Sequence, residues 1–174
     1  CTHACMGVAV VDYAAGYGVF VRLMRDIGFD FFWDDKYTQN LFSSGFEWDQ
    51  NSNIDAITLF EVFEHFSAPI KEIKNLLKIS DTLIFSTDLH PNPLPKSKDW
   101  WYYGFEHGQH IAFYSKKTFE LIAKKFHLNY YAITPSFHIL SKKNIAPYKL
   151  KISRLDRIGL HKFFYTLLQP KTES

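Results

Sequence analysis

Apolar residues along this chain gather into short dense runs that alternate with segments of helical spacing. The run GVAVVDYA, Gly7 to Ala14, is short and rich in valine, as expected of a strand buried on both faces of a parallel sheet. Val19 to Ile27 carries Phe20, Leu23, Met24 and Ile27 at helical intervals, and Gly28 stands where such a helix would stop. The pattern then predicts a strand over Phe29 to Trp33, a helix over Tyr37 to Ser44, a short piece at Phe46 to Trp48 and a strand over Ile54 to Phe60. Pro69 opens a helix through Lys78 with Ile70, Ile73 and Leu77 inward, and Thr82 to Thr87 reads as another buried strand. A long, proline-dotted, aromatic loop follows from Asp88 to about Tyr114, and loops of this length inside a compact domain are usually functional. Ser115 caps a helix with Phe119, Ile122, Ala123 and Phe126 on one face, and Leu128 to Lys142 reads as two strands turning near Pro135 and Ser136. The expected fold is α/β: a doubly wound, mostly parallel sheet with a C-terminal antiparallel hairpin, whose ligands sit at the carboxyl ends of the strands.

Length and charge narrow the picture. The 174 residues suit a single domain over 1–174, with its core in 7–142 and a basic extension over 143–174. That extension carries Lys149, Lys151, Arg154, Arg157 and Lys162 and is expected to end in a helix near Leu155 to Leu168. The chain opens on Cys1 without a methionine and runs almost at once into a strand, so an N-terminal part is expected to be missing. A formal net charge of +2 gives no global footprint for a polyanion. Cys1 and Cys5 are too few for a disulfide framework, and with His3 they fall short of the four ligands zinc wants. With no apolar run of about 18 to 20 residues and no signal-peptide pattern, the expectation is a cytoplasmic protein with no membrane partner.

The first strand ends in VVDYAAGYG, with an acid, Asp12, followed by Gly16 and Gly18 leading into a helix. This segment resembles the D-x-G-x-G-x-G pattern of the class I, Rossmann-type S-adenosylmethionine-dependent methyltransferases, with Ala14 in the place of the first glycine. An alanine there fits the turn at low cost only if its φ is negative. The resemblance implies that Asp12 holds the charged amino-acid part of the cofactor while Ala14, Gly16 and Gly18 let the backbone approach it. It also implies that an acid at the end of the second strand bonds both ribose hydroxyls: Asp35, with Asp34 the alternative. DAITLFEVFEH, Asp55 to His65, resembles the segment running into the loop beneath the cofactor, which implies contacts from Phe60 and Glu61. The likeness extends from about Val8 to Lys142. A nicotinamide dehydrogenase would show a glycine at the sixth position of the turn, where this chain has none.

Two carboxylates, Glu61 and Glu64, lie beside His65, and two further imidazoles, His107 and His110, follow in the long loop. Mixed oxygen and nitrogen donors of this kind suit a divalent cation such as magnesium, manganese or iron. E-x-x-E-H with a later H-x-x-x-x-S resembles metal-using methyltransferases: ubiquinone-biosynthesis O-methyltransferases in its first part, small-RNA 3′-terminal 2′-O-methyltransferases in both. The ligands implied by that resemblance are Glu61, Glu64, His65 and His110. Without a metal, His110 or His107 is the natural general base. Trp100, Trp101 and Tyr103 offer aromatic faces for an acceptor. The expected activity is therefore methyl transfer from S-adenosylmethionine to oxygen on a small molecule or sugar, metal-assisted or not. The alternatives are 2′-O-methylation of an RNA 3′ end and a catalytically silent cofactor-binding or interaction domain.

Overall fold

The structure, a computed structural model, describes residues 8–96, 98–106 and 108–146. The expected tail helix, the Cys1, His3 and Cys5 group and His107 lie outside the described residues. The regular elements are β1 (Ala9–Tyr13), α1 (Val19–Asp26), β2 (Asp30–Asp34), β3 (Ala56–Phe60), α2 (Pro69–Leu76), β4 (Thr82–Ser86), α3 (Lys116–Phe126), β5 (Asn129–Ala132) and β6 (Phe137–Ser141). Single 3-10 turns occur at Phe63–His65 and Trp101–Tyr103. The strands form a six-stranded mixed sheet in the order β2-β1-β3-β4-β6-β5. The described residues divide into two compact units, 8–58 with 144–146, and 59–143.

In the first unit β1 pairs in parallel with β2, Val11 opposite Phe32, and with β3, Val11 opposite Ile57. Val10 and Val11 are both buried, which is why this strand reads as continuously apolar. Arg25 ties α1 to β2, donating from Nη1 to Asp30 Oδ1 (3.1 Å) and to the Phe31 carbonyl (2.8 Å). Its guanidinium lies 3.6 Å from the Phe46 ring centroid, a cation–π contact. The buried face of α1 differs from expectation: Val21 and Met24 are buried, whereas Leu23 and Ile27 are 57% and 41% exposed. Val21 and Leu23 are both apolar, so spacing admits either stripe. The stripe that turns inward runs through Val21 and Met24, with Phe20 meeting Phe31 of β2 edge-on at 5.4 Å.

The expected helix over Tyr37 to Ser44 does not form. Asp35 Oδ1 accepts from the Tyr37 and Thr38 amides (2.7 and 2.9 Å), and Asn40 Oδ1 accepts from the Ser43 amide (2.9 Å) and hydroxyl (2.8 Å). Short polar side chains thus take the backbone donors that a helix would need, and the apolar spacing is overridden.

In the second unit β6 pairs antiparallel with both β4 and β5, giving the expected terminal hairpin. α2 stops at Leu76, short of Lys78, and buries Ile73 and Leu76, while Ile70 is exposed and Leu77 half-buried. Leu77 N still bonds the Ile73 carbonyl four residues back, but Lys78 N bonds the Asn75 carbonyl and Ile79 N the Leu76 carbonyl, three back, so the helical ladder tightens and ends from Lys78. Ser115 caps α3 in a reciprocal box with Thr118. Phe63, Phe85, Phe119 and Tyr114 form the aromatic centre, with Phe63 stacked on Phe85 at 4.3 Å and Tyr114 on Phe119 at 5.0 Å. Buried pairs of this kind add about 0.5–1.5 kcal/mol each beyond their area. Among the described residues, no helix is long and apolar enough to cross a membrane.

Candidate functional site

The turn after β1 is built against the end of β2. Ala15 N donates to the Asp34 carbonyl (3.2 Å), Gly16 N to Asp35 Oδ2 (2.9 Å), and Trp33 Nε1 to the Gly16 carbonyl (2.8 Å). Asp35 therefore braces three backbone amides, those of Gly16, Tyr37 and Thr38, in addition to any part it takes in holding a ribose. Asp34, the last residue of β2, is held above the usual carboxylate range by burial. Trp33 was not singled out by sequence; an indole directly before two acids at a strand end is the signal that marks it.

Asp12 is 5% exposed, and Thr58 Oγ1 donates to its Oδ1 at 2.5 Å. Burial pushes its carboxyl up to about 7. At Gly18 a Cβ would collide with Ser43 Oγ and lie 2.7 Å from Asn40 Oδ1, so this glycine also serves to seat the 40–43 segment. Ala14 has φ 58°, contrary to the negative value that would suit a side chain. The left-handed region costs a non-glycine residue roughly 1–2 kcal/mol, partly offset by the greater freedom of unfolded glycine. Ala14→Gly is accordingly expected to stabilise the protein by roughly 0.5–1 kcal/mol, read as a higher urea midpoint; an unchanged or lower midpoint would show that the alanine is not strained.

In the second unit Glu61 follows β3 with φ 54°. Ser86 Oγ accepts from its amide (2.9 Å) and donates to its Oε1 (2.6 Å), while the Tyr102 hydroxyl donates to Oε2 (3.0 Å). These bonds hold a backbone conformation that would otherwise be costly. Glu64 is fully buried, and neither carboxylate oxygen has a hydrogen-bond partner among the described residues. Burial raises its pKa above the ordinary value. Its own carbonyl accepts from the Ile111 and Ala112 amides (2.9 and 3.0 Å), which clamps the returning limb of the long loop.

The two imidazoles are oriented in the same way. His65 Nδ1 lies 2.8 Å from the Gln109 carbonyl and His110 Nδ1 2.7 Å from the Tyr102 carbonyl. A carbonyl only accepts, so each ring carries its proton on Nδ1 and, when neutral, presents a bare Nε2. One donor atom from each of Glu64, His65 and His110 lies within 4.8 Å of the others. Glu61 does not join them within that span; its carboxylate points to Ser86 and Tyr102. Tyr102, buried and bonded to two of these groups, carried no mark in the sequence that set it apart from its aromatic neighbours.

Trp100 is half-buried and packs on Tyr103 (5.0 Å) and Phe113 (5.7 Å), and the Tyr103 hydroxyl donates to the Pro95 carbonyl (3.2 Å). Trp101 and Phe105, by contrast, are 77% and 69% exposed. Of the loop aromatics, these two leave most of their surface free.

A mixed sheet with a terminal antiparallel hairpin, and a glycine turn from its first strand braced by an acid after its second, define an α/β protein of the Rossmann-like, cofactor-binding class. The family model described as "Methyltransferase domain" matches residues 7–133, and the chain belongs to that family, the S-adenosylmethionine-dependent methyltransferases of class I fold. No curated protein sequence matches it. Among solved structures it is similar to an O-methyltransferase family 2 protein from Planctomyces limnophilus in complex with apigenin (12% identity, 82% of this chain and 52% of that one, TM-score 0.58). It is also similar to OxaC in complex with sinefungin and meleagrin (14% identity, 79% of this chain and 43% of that one, TM-score 0.55). A third likeness is to magnesium protoporphyrin IX methyltransferase from Synechocystis with bound SAH (14% identity, 79% and 74% covered, TM-score 0.50). At these identities the likeness is one of fold.

Proposed function

We propose that this methyltransferase acts on a hydroxyl of a small molecule or sugar, with a divalent cation held by Glu64, His65 and His110. The carrying observation is Glu64: a fully buried carboxylate with both oxygens unpartnered, grouped with two imidazoles whose bare nitrogens are set by carbonyls. An ion satisfies all three at once, and metal-bound histidines commonly donate their other N–H to such a partner. Two nitrogens and one oxygen favour manganese or iron over magnesium, which prefers oxygen. Glu61 is the fourth ligand of the reading, although its carboxylate lies outside the group of three and is bonded to Ser86 and Tyr102; its charge helps to raise the Glu64 pKa.

The cofactor-binding residues fit S-adenosylmethionine in their donor chemistry. Asp12 offers a buried acid oriented by Thr58 to a cationic amino-acid group, and the positive-φ turn at Ala14, Gly16 and Gly18 brings backbone, not side chain, to the ligand. Asp35 keeps lone pairs for ribose hydroxyls beyond those given to backbone. When bound, S-adenosylmethionine supplies an electrophilic methyl group. A divalent cation, when bound, supplies a Lewis acid that lowers the pKa of an acceptor hydroxyl. Without a cation, the Nε2 lone pair of His110 is instead open to a proton, while Trp101 with Phe105 offers a ring face to the acceptor and excludes water. Trp100 and Tyr103 back that surface.

Calorimetry on protein stripped of ions tests the reading. S-adenosylmethionine and then Mn²⁺ are expected to bind at micromolar levels, Mn²⁺ more tightly than Mg²⁺. No Mn²⁺ uptake with cofactor present would remove the metal, and methylation of an RNA 3′ end in preference to small hydroxyl acceptors would replace the acceptor class.

A further inference from the structure

We infer that Tyr102 is the positioning residue of this site, its phenol fixing the carboxylate of Glu61 and its backbone carbonyl fixing the tautomer of His110. The inference rests on the reading of Glu61 and His110 given above and adds the residue through which both are held.

Tyr102 is 1% exposed, unlike Trp101 beside it, and it is used at both ends. Its hydroxyl lies 3.0 Å from Glu61 Oε2 and 3.2 Å from Thr87 Oγ1. An ionised carboxylate can only accept, so the single phenolic proton goes to Glu61 and the Thr87 hydroxyl must donate to the phenol oxygen. Thr87 is itself held, its carbonyl 3.1 Å from Nε2 of the buried His138. At the other end the Tyr102 carbonyl takes the Nδ1 proton of His110 at 2.7 Å, and the two rings pack with centroids 4.5 Å apart. A 3-10 turn at Trp101–Tyr103, closed by Gly104 at φ 57°, points the Tyr102 side chain inward while its carbonyl meets the histidine eight residues further along. One residue therefore orients a carboxylate from the end of β3 and an imidazole from the long loop together. Groups that orient ligands in this way commonly change metal affinity 10- to 100-fold when removed.

The test uses the full chain and Mn²⁺ as probe. Tyr102→Phe keeps ring and backbone and removes only the hydroxyl; its Mn²⁺ affinity is expected to fall at least tenfold by calorimetry. Ring-nitrogen NMR of the metal-free wild type is expected to show His110 protonated on Nδ1 with a bare Nε2. A merely structural tyrosine would lower the melting temperature and leave Mn²⁺ affinity where it was. A folded Tyr102→Phe protein binding Mn²⁺ within twofold of wild type overturns the inference, as does an Nε2-protonated His110. If the wild type takes up no Mn²⁺, the metal reading fails on its own, and the His110 tautomer alone decides for or against Tyr102.

Discussion

Replacing Glu64 with methionine is expected to stabilise the metal-free protein by about 1–3 kcal/mol and to weaken Mn²⁺ binding at least 100-fold. The side chain is fully buried and neither oxygen has a well-formed hydrogen bond among the described residues, so desolvation outweighs the weaker influence of Tyr102 and Thr87 nearby. Methionine fills a similar volume, leaves the Glu64 carbonyl free to accept from Ile111 and Ala112, and removes the cost. Burial raises the carboxyl pKa, so at low pH both folded and unfolded states are protonated and only the smaller cost of burying the neutral acid remains. As pH rises past the ordinary carboxylate range the unfolded state gives up its proton first, and wild-type stability falls relative to Glu64→Met. Urea midpoints at pH 5 and pH 8 with Mn²⁺ calorimetry check both halves. A variant less stable than wild type in the absence of metal would show that this carboxylate has partners of its own.

Asp12→Asn is expected to flatten the pH dependence of stability and to cost at least tenfold in affinity for S-adenosylmethionine. The wild-type carboxyl sits near 7 in the folded chain, against 3.8 when exposed, because burial outweighs the Thr58 hydrogen bond. A raised acid leaves stability intact below about 4 and removes it as pH climbs towards the folded pKa. Between pH 5 and 8 the wild type should therefore lose roughly 2–3 kcal/mol that the asparagine variant keeps. Cofactor binding runs the other way: a cationic ligand needs the ionised acid, so wild-type affinity should rise about tenfold from pH 6 to pH 8 and that of the variant should not. Parallel denaturation profiles for the two proteins across this range would mean that Asp12 titrates as an ordinary carboxyl.

Much of the frame could be read from the chain because its causes are local. Valine density marks β1, Ser115 with Thr118 marks the start of α3, and Pro135 with Ser136 marks the turn between β5 and β6. What escaped was set at a distance or by competition. The 37–44 segment has helical spacing, but Asp35 and Asn40 spend their oxygens on the amides that a helix requires. The face of α1 is decided by packing, Phe20 against Phe31 with Val21 and Met24 buried, which apolar spacing alone does not record. Ala14 shows its strain only as a φ of 58°. Within the candidate site, His65 and His110 could be named from residue type, but their shared tautomer depends on carbonyls of Gln109 and Tyr102, and backbone partners leave no trace in composition.

The returning limb of the long loop is pinned where it meets the 63–65 turn: Gln109 holds His65, Ile111 and Ala112 bond the Glu64 carbonyl, and the Tyr114 hydroxyl bonds the Phe63 carbonyl at 2.8 Å. The outgoing limb, with Leu94, Trp101 and Phe105 facing outward, makes none of those bonds. On the proposed function, the side chains offered to the acceptor, Trp101 and Phe105, are distinct from the inward Tyr102 and the pinned residues that hold the site's donor groups. Sequences could be exchanged between Pro91 and Pro95, or at the Trp101 and Phe105 side chains, to retune which molecules are modified without rewriting the groups that do the modifying.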